Sequence, residues 1–431
     1  MNPPMNSMNS TNSTNAPPPK GSTDGAHRSS WAVGDTTRVP FWVFSDSEIY
    51  RQEQTRIFEG PFWSYVGLEA EIPNPGDFTR TEIGDKPVIV VRDEHGGVNV
   101  LVNRCSHRGV AFCHRDSGNA TELICPYHQW TYDLRGKLIG VPFRRGYQGQ
   151  GGMSEDFSID DHAVQALKVT CRGGVIFASF DHRVEDLATY LGPTMLAYFD
   201  RVFTGRPLML LGRSRQRIPS NWKLMVENIK DPYHGSLLHV FLVSFGLYRL
   251  DQKSKVEMDE TGRHATLSSR RGEQVENDAT KQMRSFKPGF TLADQRLLDP
   301  VKEFSGEETV AVQTLWPNLI VQQQSNTLAM RQIVTRGPSA FDLVWTFFGY
   351  ADDSAEMRQR RLRQANWMGP SGFVSVDDSE VLTLSQRGIG AYPDRQALYK
   401  MGGSAIRNED HMVTETAVRG FYRYYRQVMG L

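Results

Sequence analysis

Cysteine is scarce in this 431-residue chain, which has four: Cys105, Cys113, Cys125 and Cys171. So few thiols exclude a disulfide scaffold and suit a reducing cytoplasm. Surplus charge is missing too. The 49 basic residues equal the 49 acidic ones, which leaves no basic stripe for nucleic acid and no acidic tail. No apolar run is long enough to span a bilayer, so no membrane partner is expected, and no internal repeat is visible. Large apolar residues are rare before Trp31, where Asn, Ser, Thr and Pro dominate. That stretch lacks the apolar centre of a signal peptide. Residues 1–39 are therefore expected to form a disordered polar N-terminal tail.

The rest of the chain is long enough to bury one large core or two. Residues 40–60 read as an N-terminal helix that packs on a later domain. Phe41, Val43, Phe44, Ile49, Tyr50 and Ile57 are its apolar side, Ser47-Glu48 its start and Gly60-Pro61 its stop. Residues 61–182 change texture. Lys86–Arg92, Val98–Val102, Leu123–Cys125 and Gly174–Phe180 are short β-rich runs separated by turn signals such as His95-Gly96-Gly97. This is a small all-β module, with a loop over residues 146–161. Residues 183–431 alternate helices with longer strands. Strands are expected at Leu208–Arg217, His264–Ser268, Thr309–Leu315, Asn318–Gln324, Leu328–Thr335 and Phe341–Gly349. Helices are expected at Val184–Phe203, Trp222–Phe245, Ser354–Met368, Phe373–Gln386 and Glu409–Met429. The fold class is α+β, an antiparallel sheet with helices grouped around it.

Two motifs carry chemistry. In the first, Cys105-Ser-His107-Arg108-Gly109 is followed by Cys125-Pro-Tyr-His128-Gln-Trp130. Each half offers one thiolate and one imidazole on a tight loop. A [2Fe–2S] cluster with unlike irons needs that set, two sulfurs on one iron and two nitrogens on the other. Zinc also takes two cysteines and two histidines, but its usual order pairs Cys with Cys and His with His. The mixed order favours the cluster. Cys113 and His114 fall outside the spacing, and Cys171 reads as a buried small apolar residue.

The second motif runs from Asn228 to His239 and holds Asp231, His234 and His239. Two imidazoles and a carboxylate on one face hold ferrous iron with its other positions open. The plain alternative is a helix whose histidines make ordinary hydrogen bonds. His234 and His239 are five residues apart, about 140° around a regular α-helix. A shared metal therefore requires a π-type widening or a break, expected near Gly235. The third ligand would be a later carboxylate. Asp352-Asp353 and Asp377-Asp378 compete, the first pair reading as a helix N-cap.

Cys-x-His-Arg-Gly, then Cys-x-Tyr-His-x-Trp, then Glu227-Asn-Ile-Lys-Asp-Pro-Tyr-His-Gly-Ser-Leu-Leu-His239 resembles the large (α) subunit of Rieske non-haem iron aromatic-ring hydroxylating oxygenases. The wording is most similar to the branch that acts on salicylate and anthranilate. The resemblance implies a Rieske domain over 61–182 and a catalytic domain over 183–431. It implies that Cys105, His107, Cys125 and His128 hold the [2Fe–2S] cluster, flanked by Arg108 and Trp130. It implies that His234, His239 and Asp378 hold mononuclear Fe(II), because the segment Gly369–Glu380 resembles the family's ligand segment. Asp231, with Asn228 beside it, would serve catalysis by linking the iron to a Rieske histidine of a neighbouring subunit. Gln324 and Ser375 are candidate substrate-binding residues. The implied co-substrate is O2 and the implied substrate a small aromatic acid. Partners would be a ferredoxin, a reductase, often a small β subunit, and further copies in an α3 or α3β3 ring. The competing readings are a monooxygenase or O-demethylase on another aromatic acid, and a non-catalytic electron-transfer protein.

Overall fold

A computed structural model describes residues 30–245, 247, 252–270 and 281–431. Most of the expected tail, residues 1–29, lies outside the described residues. Residues 30–39 depart from the expectation of a disordered tail. Trp31 is buried edge-on against Trp42 and Tyr422, with the Arg426 guanidinium 4.6 Å from its ring centre. Arg38–Pro40 pairs with Gln396–Leu398. One indole in a polar stretch suffices to dock it, since burying so large a side chain stabilises the docked segment by about 2–3 kcal/mol.

The expected 40–60 helix divides into three pieces. A 3-10 turn at Phe41–Phe44 leads into α1 (Ser47–Glu53), which ends in a π-helical turn at Gln54–Phe58. Asp46 caps α1, its carboxylate accepting from the amides of Glu48 and Ile49. At the other end Glu53 is fully buried. It accepts from Lys223 Nζ at 2.6 Å, Trp222 Nε1 at 2.8 Å and Tyr425 OH at 2.6 Å. Losing Lys223 would leave a buried charge uncompensated, so the ion pair and its two neutral donors lock α1 onto the later helices.

The β module holds three small antiparallel sheets. Strand Lys86–Arg92 is covered on both sides. Val88 and Val90 join the large core, while Ile89 and Val91 join a second cluster that also contains Cys105, Cys125 and Trp130. This is the two-residue alternation of a strand put to use on both faces. Cys171 departs from expectation. It is exposed, on the edge strand Lys168–Arg172, whose other four residues are half-buried.

The larger region is built on a seven-stranded antiparallel sheet. Its spatial order is Leu208–Ile218, Phe341–Tyr350, Thr327–Thr335, Leu319–Gln324, Val310–Leu315, Ala265–Ser269, Ser254–Met258. Around it pack α2 (Leu187–Val202), α3 (Trp222–Lys230), α4 (Pro232–Leu238), α5 (Val240–Ser244), α6 (Ala355–Met368), α7 (Phe373–Ala391) and α8 (Thr416–Met429). The fold is α+β. Two local expectations change. Ser354, not Asp352 or Asp353, caps α6 by accepting from the Met357 amide. Asp353 instead pairs with Arg361 at 2.7 Å, and Asp352 with Arg206 at 2.6 Å. The last helix begins at Thr416 rather than Glu409, which is bridged to Val256 of the sheet edge. Among the described residues, no helix is long and apolar enough to cross a membrane.

Candidate metal centres

The two Cys-His loops share one backbone design. The Cys105 amide donates to Val110 O and the Gly109 amide to Cys105 O. In the second loop the Cys125 amide donates to Trp130 O and the Gln129 amide to Cys125 O. The fifth residue of each loop has positive φ, 74° at Gly109 and 55° at Gln129. Glycine reaches that conformation freely, whereas Gln129 does so under strain. Each loop thus aims its cysteine inward and its histidine at the other loop. Both cysteines are buried, and the rings of His107 and His128 are 4.6 Å apart. Trp130 stacks on His107 at 4.7 Å. Tyr132 OH lies 3.2 Å from Cys105 Sγ. His107 Nδ1 is buried with no hydrogen-bond partner among the described residues. A costly orphan nitrogen beside two buried thiols fits a cluster ligand. Arg108, expected to flank the cluster, is exposed, 5.7 Å from the Tyr127 ring centre.

The second centre is assembled by helix breaks. Asp231 precedes Pro232, and the residue before proline is pushed out of the α region. Asp231 accordingly takes φ −100°, ψ 94°, ending α3 and capping α4 through the Tyr233 amide at 2.8 Å. Proline then occupies the first turn of α4, where its missing N–H costs nothing. The second break falls at His239 itself (φ −86°, ψ 89°), not near Gly235, which lies inside α4. His239 thereby swings toward His234, their ring centroids 5.4 Å apart.

From α7, Asp378 meets both rings. Its Oδ1 is 3.4 Å from His234 Nε2 and 3.3 Å from His239 Nε2. The three donor atoms lie within 4.8 Å of one another. The far side of each ring is fixed. His234 Nδ1 donates to Asp231 O at 2.5 Å and His239 Nδ1 to Asp377 Oδ2 at 3.3 Å. With both Nδ1 protons committed, both Nε2 lone pairs face the space between the rings, where Asn228 Nδ2 stands 3.3 Å from His234 Nε2. Burial opposes charge on these groups, but the side chains of Asp231 and Asp378 beside His234, and the two imidazoles beside Asp378, outweigh it. They push His234 up to about 10 and hold Asp378 far below the usual carboxylate range. Surroundings that would charge a histidine are surroundings that favour a bound cation. Asn228 completes the set, its Nδ2 donating to Asp378 Oδ1 at 3.0 Å.

These residues open on a cavity of about 110 Å³ between the sheet and the helices. Leu242, Leu267, Val310, Val312 and Val374 give it aliphatic walls. Gln324 lines it, accepting from Gln322 Nε2 at 3.0 Å. Ser375 does not line it. Its hydroxyl donates to Gln216 Oε1 at 3.0 Å, one side of α7 away. Arg331 also lines the cavity and was missed from sequence. The signal was a charge inside the run Leu328-Ala-Met-Arg331-Gln-Ile-Val334, where every residue is buried. Burial lowers its pKa to about 10, with Asp378 opposing, so it stays cationic at neutral pH.

The family profile of the Rieske [2Fe-2S] domain matches residues 62–150, and that of the ring hydroxylating alpha subunit (catalytic domain) matches residues 207–431. The chain is 52% identical over 406 residues to the large oxygenase component of salicylate 5-hydroxylase from Ralstonia sp, covering 93% of this chain and 96% of that one. It is 43% identical to the large subunit of anthranilate 1,2-dioxygenase from Burkholderia cepacia, covering 92% and 94%. Naphthalene 1,2-dioxygenase from Rhodococcus sp. bound to indole superposes with a TM-score of 0.74 at 24% identity, over 91% and 94% of the two chains. That last likeness is one of fold. The two domains with their paired ligand loops and histidine–carboxylate triad place this chain among the Rieske non-haem iron ring-hydroxylating oxygenases, as an α subunit.

Proposed function

We propose that this α subunit hydroxylates a small aromatic carboxylate, salicylate- or anthranilate-like, using O2 and electrons from NAD(P)H delivered by a reductase and a ferredoxin. The observation that carries the reading is the convergence of His234, His239 and Asp378 beside a cavity that His234 and Asp378 line together with aliphatic side chains. The names of the relatives support the aromatic acid. An electron carrier has no use for such a cavity. When bound, the cluster supplies single electrons and the ferrous ion activates O2. The chain's own part is to hold the donors, leave one side open and exclude water. Cys105, Cys125, His107 and His128 hold the cluster, and Asn228 steadies Asp378.

Asp231 is half-buried at the rim, and His128 is half-buried at the edge of its loop. In an α3 or α3β3 ring, Asp231 would accept a hydrogen bond from His128 of the next copy, a short bonded path between centres. A heterologous contact of this kind closes into a ring. The experiment is product analysis on a panel of benzoates with ferredoxin and reductase supplied. Ring-hydroxylated acids are expected. Demethylated products alone would favour an O-demethylase, and electron transfer without O2 uptake would overturn the oxygenase reading.

A further inference from the structure

The helix that supplies Asp378 is docked mainly by polar contacts. Along its 19 residues α7 buries Ser375, Asp378, Leu382, Gln386 and Ile389, of which only two are apolar. Phe373, Val376 and Leu384, apolar as well, are exposed. Apolar contact is non-directional, so Leu382 and Ile389 alone leave the helix free to turn. Hydrogen bonds fix direction as well as distance. Near the helix start, Gln216 makes two of them from the edge strand Leu208–Ile218, where it is half-buried. Its Nε2 donates to Ser379 Oγ at 2.6 Å, and its Oε1 accepts from Ser375 Oγ at 3.0 Å. Ser379 Oγ donates in turn to Ser375 O at 2.5 Å, which closes the ring. Toward the other end, Gln386 Oε1 accepts from the Asn221 amide at 2.7 Å.

Ser375 and Ser379 are one helical turn apart and share a face. Asp378 sits about 60° from Ser375 and about 100° from Ser379 around the axis, at the border of that face. Gripping both serines therefore fixes the angle at which Asp378 leaves the helix. The tolerance at its far end is small. Asp378 Oδ1 faces His234 Nε2 at 3.4 Å and His239 Nε2 at 3.3 Å, and accepts from Asn228. A carboxylate at the rim of a helix about 5–6 Å in radius moves about 1 Å when the helix turns about 10°. Metal ligands tolerate departures of only about 0.2 Å.

We propose that Gln216 is a positioning residue for the mononuclear iron. By holding Ser375 and Ser379 from the sheet edge, it sets the rotation of α7 and thereby the aim of Asp378. The inference rests on the triad of His234, His239 and Asp378 being the iron site. Gln216 does not line the cavity, so it acts through Asp378 and not on the substrate.

The test titrates ferrous iron into the full chain, with the cluster in place and the mononuclear iron removed. Gln216→Met keeps the length of the side chain and lacks its hydrogen bonds. It should weaken iron binding about tenfold, the lower end of what an outer partner of a metal site contributes. The EPR signal of the reduced cluster should not change. Ser375→Ala combined with Ser379→Ala should weaken iron binding to the same degree. Adding Gln216→Met to that pair should weaken it no further, because the three side chains act as one unit. In turnover, kcat should fall at limiting iron and recover in excess ferrous salt, with KM for the acid at the wild-type value. Leu382→Ala is the control. It deletes a buried apolar contact of the same helix, so it should lower the melting temperature and leave iron affinity alone. Unchanged iron affinity in Gln216→Met overturns the proposal, and so does an equal loss in Leu382→Ala. If Gln216→Met does not fold, Ser379→Ala decides by the same titration, and wild-type affinity there overturns the proposal. Each of these failures leaves the oxygenase reading standing. A wild type that binds no iron at the triad would overturn both.

Discussion

Asp231 takes the His234 proton on its backbone oxygen, while its carboxylate acts on the same ring from farther off. The His234 Nδ1 proton goes to Asp231 O at 2.5 Å, while the nearer carboxylate oxygen stands 3.7 Å from that nitrogen. The side chain caps α4 and keeps acceptor capacity to spare. Asp231→Asn should therefore spare the ring tautomer and the metal set. Both irons should remain bound and the cluster reducible, yet turnover should fall by orders of magnitude. The check is a single-turnover experiment on pre-reduced enzyme, following cluster reoxidation with substrate and O2. Reoxidation at the wild-type rate would show that the Asp231 carboxylate only caps a helix.

The adjacent acids Asp377 and Asp378 should separate cleanly. Asp378→Ala removes the one oxygen that faces both Nε2 atoms. The mononuclear iron should be lost, while the cluster, in another domain, keeps its visible and EPR spectra. Asp377→Asn weakens only the hold on His239 Nδ1. Loss of such an outer partner costs about 10–100-fold in metal affinity. Iron should therefore be recovered in excess ferrous salt by Asp377→Asn and not by Asp378→Ala. Equal iron content in both variants would undo this division.

Tyr132 is placed to tune the cluster's potential at the other centre. Its hydroxyl accepts from the Ser106 amide at 3.1 Å and lies 3.2 Å from Cys105 Sγ. A hydrogen bond to a ligating sulfur eases the added negative charge of reduction and raises the potential. Tyr132→Phe should lower it. His107→Cys should lower it further, toward the about −400 mV of clusters held by four thiolates. A redox titration followed by EPR measures both, and an unchanged potential in His107→Cys would remove His107 from the ligand set.

What was legible in the sequence was what local spacing dictates. Six of the seven strands of the large sheet carry an apolar run or a stretch of alternation, so their positions could be read within a few residues, whereas the edge strand Ser254–Met258, with two charges in five residues, was not read at all. The Cys-x-His pairs are local too. Asp378 depended on a family resemblance, because nothing near it announces that α7 crosses α4 and α5. Arg331 was illegible for a different reason. A lone arginine in a strand looks like a solvent-facing residue, and only the layer of helices over that face shows otherwise. Trp31 and Ser354 show the limit at element ends, where one indole or one hydroxyl outweighs the composition around it.

Lys230 ties the geometry of this helix end to pH. It closes α3 just before the break at Asp231, is 1% exposed, and donates to Arg263 O at 3.3 Å. Burial drives its pKa down to about 7, with Asp259 offsetting part of the effect. In the unfolded chain an ordinary lysine titrates near 10.4. Between about 7 and 10.4 the unfolded state thus binds the extra proton, so this group makes stability rise with pH in that window. The slope from one such group is at most about 1.4 kcal/mol per pH unit. Below about 7 both states carry the proton, the contribution is flat, and the cost of a buried ammonium is fully present. Lys230→Met keeps the length of the side chain and removes the titration. The variant should therefore be more stable than wild type at pH 7, by a margin that shrinks steadily toward pH 10. Thermal melts of both proteins at several pH values measure that margin. A constant margin would mean that Lys230 keeps an ordinary pKa in the fold, and that Asp259 compensates its burial in full.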